Sequence, residues 1–138
     1  MLAPYLAEFL DANIVGVLAT ERPDGRPRQS LVYYARDGER VLVTTDAARQ
    51  KVADVRRNAW ASLCVMAHDR PFPSATFAGP ARILTQDIGV ATAAVIQRVA
   101  DLDEPPEPQS DEALAGVGRV ILAIEIERVG PVTYVEGG

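Results

Sequence analysis

Short apolar runs separated by turn residues set the pattern of this chain. The run IVGVLAT (14–20) gives way to ERPDGRPRQ, in which Asp24-Gly25 stands between two prolines, and SLVYYA (30–35) follows. Asp37-Gly38 separates that run from RVLVTT (40–45). β-Rich runs joined by Asp-Gly turns predict three strands in an antiparallel meander. A different period precedes them: in PYLAEFLDAN, Leu6, Phe9 and Leu10 share one face of a short amphipathic helix. After the meander, Ala48, Val52, Val55 and Ala59 recur at helical spacing and predict a helix over 46–58, capped by Thr45 or Asp46. WASLCVMA (60–67) is continuously apolar and reads as an interior strand with Cys64 buried in it. PSATFAGPARILT (73–85) reads as a strand bent at Gly79-Pro80, and IGVATAAVIQRVA (88–100) as a helix. The Pro- and acid-rich DLDEPPEPQSDE reads as a loop. RVILAIEIERV (119–129) reads as a strand with Val120, Leu122, Ile124 and Ile126 on one face, and a short run, PVTYV, comes last.

The order is helix, three strands, helix, two strands, helix, one or two strands. Tight antiparallel hairpins argue against a doubly wound parallel sheet, so the expected class is mainly β: a small antiparallel barrel with peripheral helices. The 138 residues, 48% apolar and 24% charged, predict one globular domain over 1–138. No apolar run approaches the ~18 residues of a membrane span, and the N-terminus lacks the basic-then-apolar pattern of a signal peptide. With a single cysteine the expectation is a cytoplasmic protein without an internal disulfide. One His and one Cys exclude the familiar zinc constellations, so no metal site is expected. A net charge of −5 argues against a nucleic-acid partner.

Against that acidic background, DAARQKVADVRRN (46–58) carries four bases. Arg56 and Arg57 fall at the C-terminal end of the predicted helix, where cations suit its dipole. Arg49 and Lys51 fall at the N-terminal end, where they oppose it. Asp54 is spaced to pair with Lys51, which leaves Arg49 without a local partner. Two readings stand: solvated surface charge, or an anion docked at the helix start and held by N–H groups, the Thr44 and Thr45 hydroxyls and both cations. No Gly-rich phosphate loop accompanies them. His68, at a strand end, reads as a solvated edge residue. Alternation puts Tyr33 and Tyr34 on opposite faces, so only one can line a cleft. No acid–base constellation is visible, and the catalytic residues are not readable.

An ordered set of features resembles the split β-barrel superfamily of pyridoxamine 5'-phosphate oxidase-like flavin and deazaflavin proteins. The set comprises a strand ending in LAT, a DGRP hairpin, Ser30-Leu31-Val32-Tyr33-Tyr34, a Thr-rich strand end, Arg49-x-Lys51, and RRNA before an apolar strand. The resemblance covers roughly 5–129 and is firmest over 14–67. It implies an antiparallel split β-barrel of the FMN-binding-protein type, and a homodimer with a cofactor in each of two clefts between the subunits. It implies that Arg49 and Lys51 hold the cofactor phosphate, that Thr44 and Thr45 supply hydroxyls, and that Arg28 and Ser30 contact the ring. Arg-x-Lys spacing and a short chain resemble the branch using coenzyme F420, a deazaflavin. The implied activity is hydride transfer from the reduced deazaflavin to a small conjugated substrate. FMN is the alternative cofactor, with an FMN-dependent oxidase, a flavin reductase or a non-catalytic carrier as the alternative functions. Arg22, Arg26 and Arg28 on the first hairpin are either a solvated turn or contacts for the cofactor's acidic tail. The chain departs from the branch at Asp54-Val55 and Ala59, where Asn-Leu and Pro are common, and at Phe72, where some relatives have Trp.

Overall fold

The computed structural model describes residues 1–137. The elements are α1 (Pro4–Ala12), β1 (Val15–Glu21), β2 (Pro27–Asp37), β3 (Arg40–Asp46), α2 (Gln50–Arg57), β4 (Trp60–Met66), β5 (Ser74–Leu84), α3 (Gly89–Val99), α4 (Asp111–Gly116), β6 (Arg119–Glu125) and β7 (Arg128–Thr133). Strands in the order β4-β1-β2-β3-β6-β5 close into an antiparallel barrel through β4–β5 pairing, and β7 adds outside β5. The expected mainly β class and the meander β1-β2-β3 are both present. Gly25 and Gly38 take positive φ (84° and 61°) in the two turns, a conformation that carries little penalty without a Cβ.

The barrel closes because β5 changes partners along its length. Met66↔Ser74 through Trp60↔Pro80 pair its first half with β4, and Ala81↔Ile124 through Leu84↔Ile121 pair its second half with β6. The handover falls at Gly79-Pro80, the bend anticipated from the sequence. A Cβ on Gly79 would lie 1.7 Å from the Glu125 carbonyl oxygen, so only glycine lets the two backbones approach. Gly79→Ala is expected to lower stability by about 3 kcal/mol through this overpacking, read as a clear fall in Tm. A wild-type Tm would refute this account of the seam.

Leu18, Val32, Tyr34, Val43, Leu63, Phe77, Leu122 and Ile124 fill the barrel, and Leu6 and Leu10 of α1 pack on the same cluster. The Tyr34 hydroxyl donates to the Leu10 carbonyl at 2.7 Å, and the Arg98 guanidinium lies 5.3 Å over the Tyr34 ring while donating to the Leu10, Asp11 and Tyr34 carbonyls at 3.1 Å. Tyr34 is thus a core residue, held neutral by burial; Tyr33 is 47% exposed on the outside. A second apolar cluster (Leu42, Ile88, Leu114, Ile121, Ala123) sits on the outer side of β3 and β6, beneath α3 and α4.

Four expectations need correction. The helix predicted over 46–58 runs only from Gln50 to Arg57; Arg49 is its N-cap, in extended conformation, and Asp46 instead accepts from the Ala48 N–H at 2.8 Å. The run 60–67 is not an interior strand: its residues alternate, and Trp60, Cys64 and Met66 are exposed. Continuous apolarity reflects an outer face that is itself apolar, not burial on both sides. The acidic stretch ends in α4, whose N-cap Ser110 accepts from the Ala113 N–H and whose Leu114 is buried; too few periodic residues precede that helix to announce it. The strand predicted over 119–129 stops at Glu125, and β7 begins at Arg128. Ile121 and Ala123 are as buried as Val120, Leu122 and Ile124, because α3 and α4 cover the face that alternation alone would leave wet.

Candidate functional site

Helix α2 lies across one end of the barrel and buries Val52, Asp54 and Val55. Its start and the beginning of β2 form the two walls of a cleft of about 380 Å³, lined by Arg28, Gln29, Ser30, Ala48, Arg49, Gln50 and Lys51. Four of the six residues singled out for cofactor binding, Arg28, Ser30, Arg49 and Lys51, therefore converge on one place, although 21 positions separate Arg28 from Arg49. The other two do not line it. Thr45 is buried, and the Thr44 hydroxyl is buried without a hydrogen-bond partner among the described residues. Alternation along β3 places Thr45 on the side of Val41 and Val43, inside the barrel, and Thr44 on the side of Leu42, outside it.

The pairing of Lys51 with Asp54 suggested by their spacing is not made. Asp54 faces the barrel, 2% exposed, and its Oδ2 accepts from Thr20 Oγ1 at 2.9 Å and from Arg28 Nε at 2.6 Å, while Oδ1 accepts from Arg57 Nη2 at 3.3 Å. Burial pushes the Asp54 carboxyl up, but these three hydrogen bonds and the Arg28 charge outweigh it and hold the group below its ordinary value. Arg28 also donates through Nη1 to Gln50 Oε1. Arg22 and Arg26 pair with Asp24 inside the turn, so of the three hairpin arginines only Arg28 reaches the cleft.

Arg49 and Lys51 are different. Among the described residues neither makes an ion pair. Burial, and then the neighbouring Arg49 charge, push the Lys51 ammonium down from its ordinary value. Two like charges share a cleft at a helix start without a counter-charge, which suits an anion there.

Asp54, Thr20 and Gln50 are the site residues that sequence reasoning missed. The available signal was an acid between Val52 and Val55, inside the apolar stripe of a helix.

The outer face of the sheet begins where the cleft ends. Leu31, Val17, Cys64 and Thr76 form one cross-strand row, and Gln29, Ala19, Ser62 and Ala78 the next, which β7 continues with Arg128, its guanidinium 5.9 Å over the Trp60 ring. Leu31 is 75% exposed. Gln29 belongs both to this face and to the cleft, so the cleft opens onto an exposed face whose rows across β2, β1, β4 and β5 carry no charge.

A larger groove of about 800 Å³ lies at the other end of the barrel, between α1, the β4–β5 loop and residues 134–136. His68 lines it, exposed as expected. Among the described residues no group of three or more His, Cys, Asp or Glu is placed to hold a metal ion. No helix is long and apolar enough to cross a membrane.

A closed six-stranded antiparallel barrel with two unpaired cations in a cleft at one rim defines a split-barrel protein. The chain belongs to the pyridoxamine 5'-phosphate oxidase family, whose model matches residues 2–132. Among solved structures it is similar to an F420 reductase, at 26% identity over 94% of this chain and 98% of that one, with a TM-score of 0.72. It is also similar to an FAD-binding protein from Mesorhizobium loti, at 26% identity over 93% and 92% of the chains, TM-score 0.67. A haem-binding protein from Mycobacterium smegmatis shares the fold at 20% identity, over 96% of this chain and 58% of that one, TM-score 0.70.

Proposed function

We propose that the chain binds a phosphorylated flavin or deazaflavin in the Arg49–Lys51 cleft, coenzyme F420 in preference to FMN, and reduces a small conjugated substrate. The observation that carries this reading is the convergence of Arg28, Ser30, Arg49 and Lys51 on one cleft in which two cations lack a counter-charge. Likeness to an F420 reductase over nearly the whole of both chains favours the deazaflavin, as does the Arg-x-Lys spacing. When bound, such a cofactor supplies the hydride. The chain supplies placement: Arg49, Lys51 and the first N–H groups of α2 hold the phosphate, and Ser30 with Arg28 borders the ring. Thr44 and Thr45, on β3, stand outside the lining of this cleft.

The reading includes a homodimer. A second copy laid on this outer face would cover Leu31, Tyr33 and Trp60 and roof the cleft at Gln29, excluding water from a site that one copy leaves open. The free thiol of Cys64 accords with a cytoplasmic setting.

The test is equilibrium binding of coenzyme F420 and of FMN to the purified chain, followed by fluorescence quenching. Micromolar or tighter binding of the deazaflavin with weaker FMN binding is expected; the reverse moves the chain to the FMN alternatives, and binding of neither ends the reading. The titration also has a pH signature. Lys51 loses its proton below the ordinary lysine range in the free protein, and a bound phosphate favours the charged form. Affinity is therefore expected to fall as pH rises through the free-state pKa of Lys51, with proton uptake on binding in that range. A flat profile up to the ordinary lysine range would remove Lys51 from the phosphate site.

A further inference from the structure

We propose that Asp54 is the positioning residue of the cleft: with Gln50 it clamps the Arg28 guanidinium into the cleft wall and leaves Arg49 and Lys51 as the two uncompensated charges. The inference rests on the reading that this cleft takes a cofactor phosphate, and it concerns residues that do not hold the phosphate themselves.

Gln50 and Asp54 stand four positions apart on α2 and so share a face. Asp54 Oδ2 takes Arg28 Nε at 2.6 Å, and Gln50 Oε1 takes Nη1. Two neighbouring nitrogens of one planar fork are thus held by one helix, while Nη2 has no partner among the described residues and Arg28 lines the cleft. The contact bridges β2 to α2, and those are the two walls of the cleft. Thr20 Oγ1, 2.9 Å from the same carboxylate oxygen, adds β1 to the tie. Strand and helix are in this way locked one turn from Arg49 and Lys51.

A merely structural role would not call for this arrangement. Apolar residues in place of Asp54 and its partners Arg28 and Thr20 together could seat α2 on the barrel about as well, because desolvating an ion pair offsets most of its attraction. What the carboxylate adds is direction. Tied to Arg28 on β2, the start of α2 holds Arg49, Lys51 and its free N–H groups in place before a phosphate arrives, which removes that ordering cost from phosphate binding. The carboxylate, whose Oδ1 also takes Arg57 at 3.3 Å, offsets part of the Arg28 charge and fixes the wall beside Ser30, and the unpaired cations lie opposite it on α2.

The experiment measures the phosphate's share of binding. FMN is compared with riboflavin, and coenzyme F420 with the same deazaflavin lacking its phosphate and tail, on the full chain well below the Tm of each variant. Asp54→Asn keeps the shape and removes the charge. It is expected to reduce the affinity ratio within each pair about tenfold, the size of one misplaced charge-assisted contact. Gln50→Ala changes an exposed side chain, leaves the core alone and is expected to reduce the ratio about threefold, so it decides the matter should Asp54→Asn not fold. In an Arg28→Gln background, Asp54→Asn should change the ratio less than about twofold, since its effect runs through Arg28. Wild-type ratios in Asp54→Asn and Gln50→Ala, whatever their Tm, would overturn the proposal, as would an Asp54→Asn effect undiminished in Arg28→Gln. Should those variants keep the ratio while removal of Arg49 and Lys51 abolishes it, the phosphate site stands and the positioning role falls. Equal binding of both members of each pair by the wild-type chain would overturn both.

Discussion

Replacing Arg49 and Lys51 together by alanine is expected to abolish phosphate-dependent cofactor binding while leaving the fold intact. Each cation would contribute one charge-assisted contact of roughly 1.5–3 kcal/mol, so losing both weakens binding by about two to four orders of magnitude. Stability should move the other way, if at all. Both side chains oppose the dipole at the start of α2, where a cation costs about 0.3–1 kcal/mol, and Lys51 is further disfavoured by burial and by Arg49. The double variant should therefore unfold at the wild-type Tm or slightly above it. Binding is read by fluorescence quenching and Tm by calorimetry. Unchanged affinity would end the anion-site reading, and a marked fall in Tm would show that the two bases serve the fold.

In the proposed homodimer, Leu31→Asp should separate the two copies. Leu31 is 75% exposed in the single chain, so the change should alter monomer stability by no more than about 0.5 kcal/mol. In a symmetric dimer the same face meets itself, and the substitution places an unpaired carboxylate in the interface twice. Like charges brought together there cost several kcal/mol, so dissociation should rise at least about a hundredfold in sedimentation equilibrium. Because the cleft opens onto this face at Gln29, cofactor affinity should fall with dimerisation even though Arg49 and Lys51 are untouched. A monomeric variant that binds cofactor like the wild type would place the whole site within one copy. A wild-type chain that is itself monomeric would remove this face from the assembly.

What was legible in the sequence was local. Asp24-Gly25 and Asp37-Gly38 announce their hairpins because a tight turn needs particular residues wherever it occurs, and β1, β2 and β3 follow from the runs they join. Gly79-Pro80 announces a bend for the same reason. The odd placement of Arg49 and Lys51 was also readable, since charge at a helix start is judged against the helix's own dipole.

The remainder depended on partners distant in the chain. That β5 leaves β4 for β6 at Gly79 requires the Glu125 backbone to arrive beside it, and nothing near residue 79 encodes that neighbour. Apolarity in 60–67 could not say which face was inside, because both faces are apolar and only the barrel distinguishes them. Asp54 stands three residues from Lys51 in sequence, yet besides Arg57 its carboxylate goes to Thr20 and Arg28, 34 and 26 positions away on β1 and β2. Sequence alone thus determined the meander β1-β2-β3, its turns and two bases near a helix start, all of which rest on contacts within a few residues. Tertiary structure decided how the barrel closes, which side of it is bare, and that Arg28 and Ser30 of β2 stand against Arg49 and Lys51 of α2, because burial and long-range pairing belong to the folded chain as a whole.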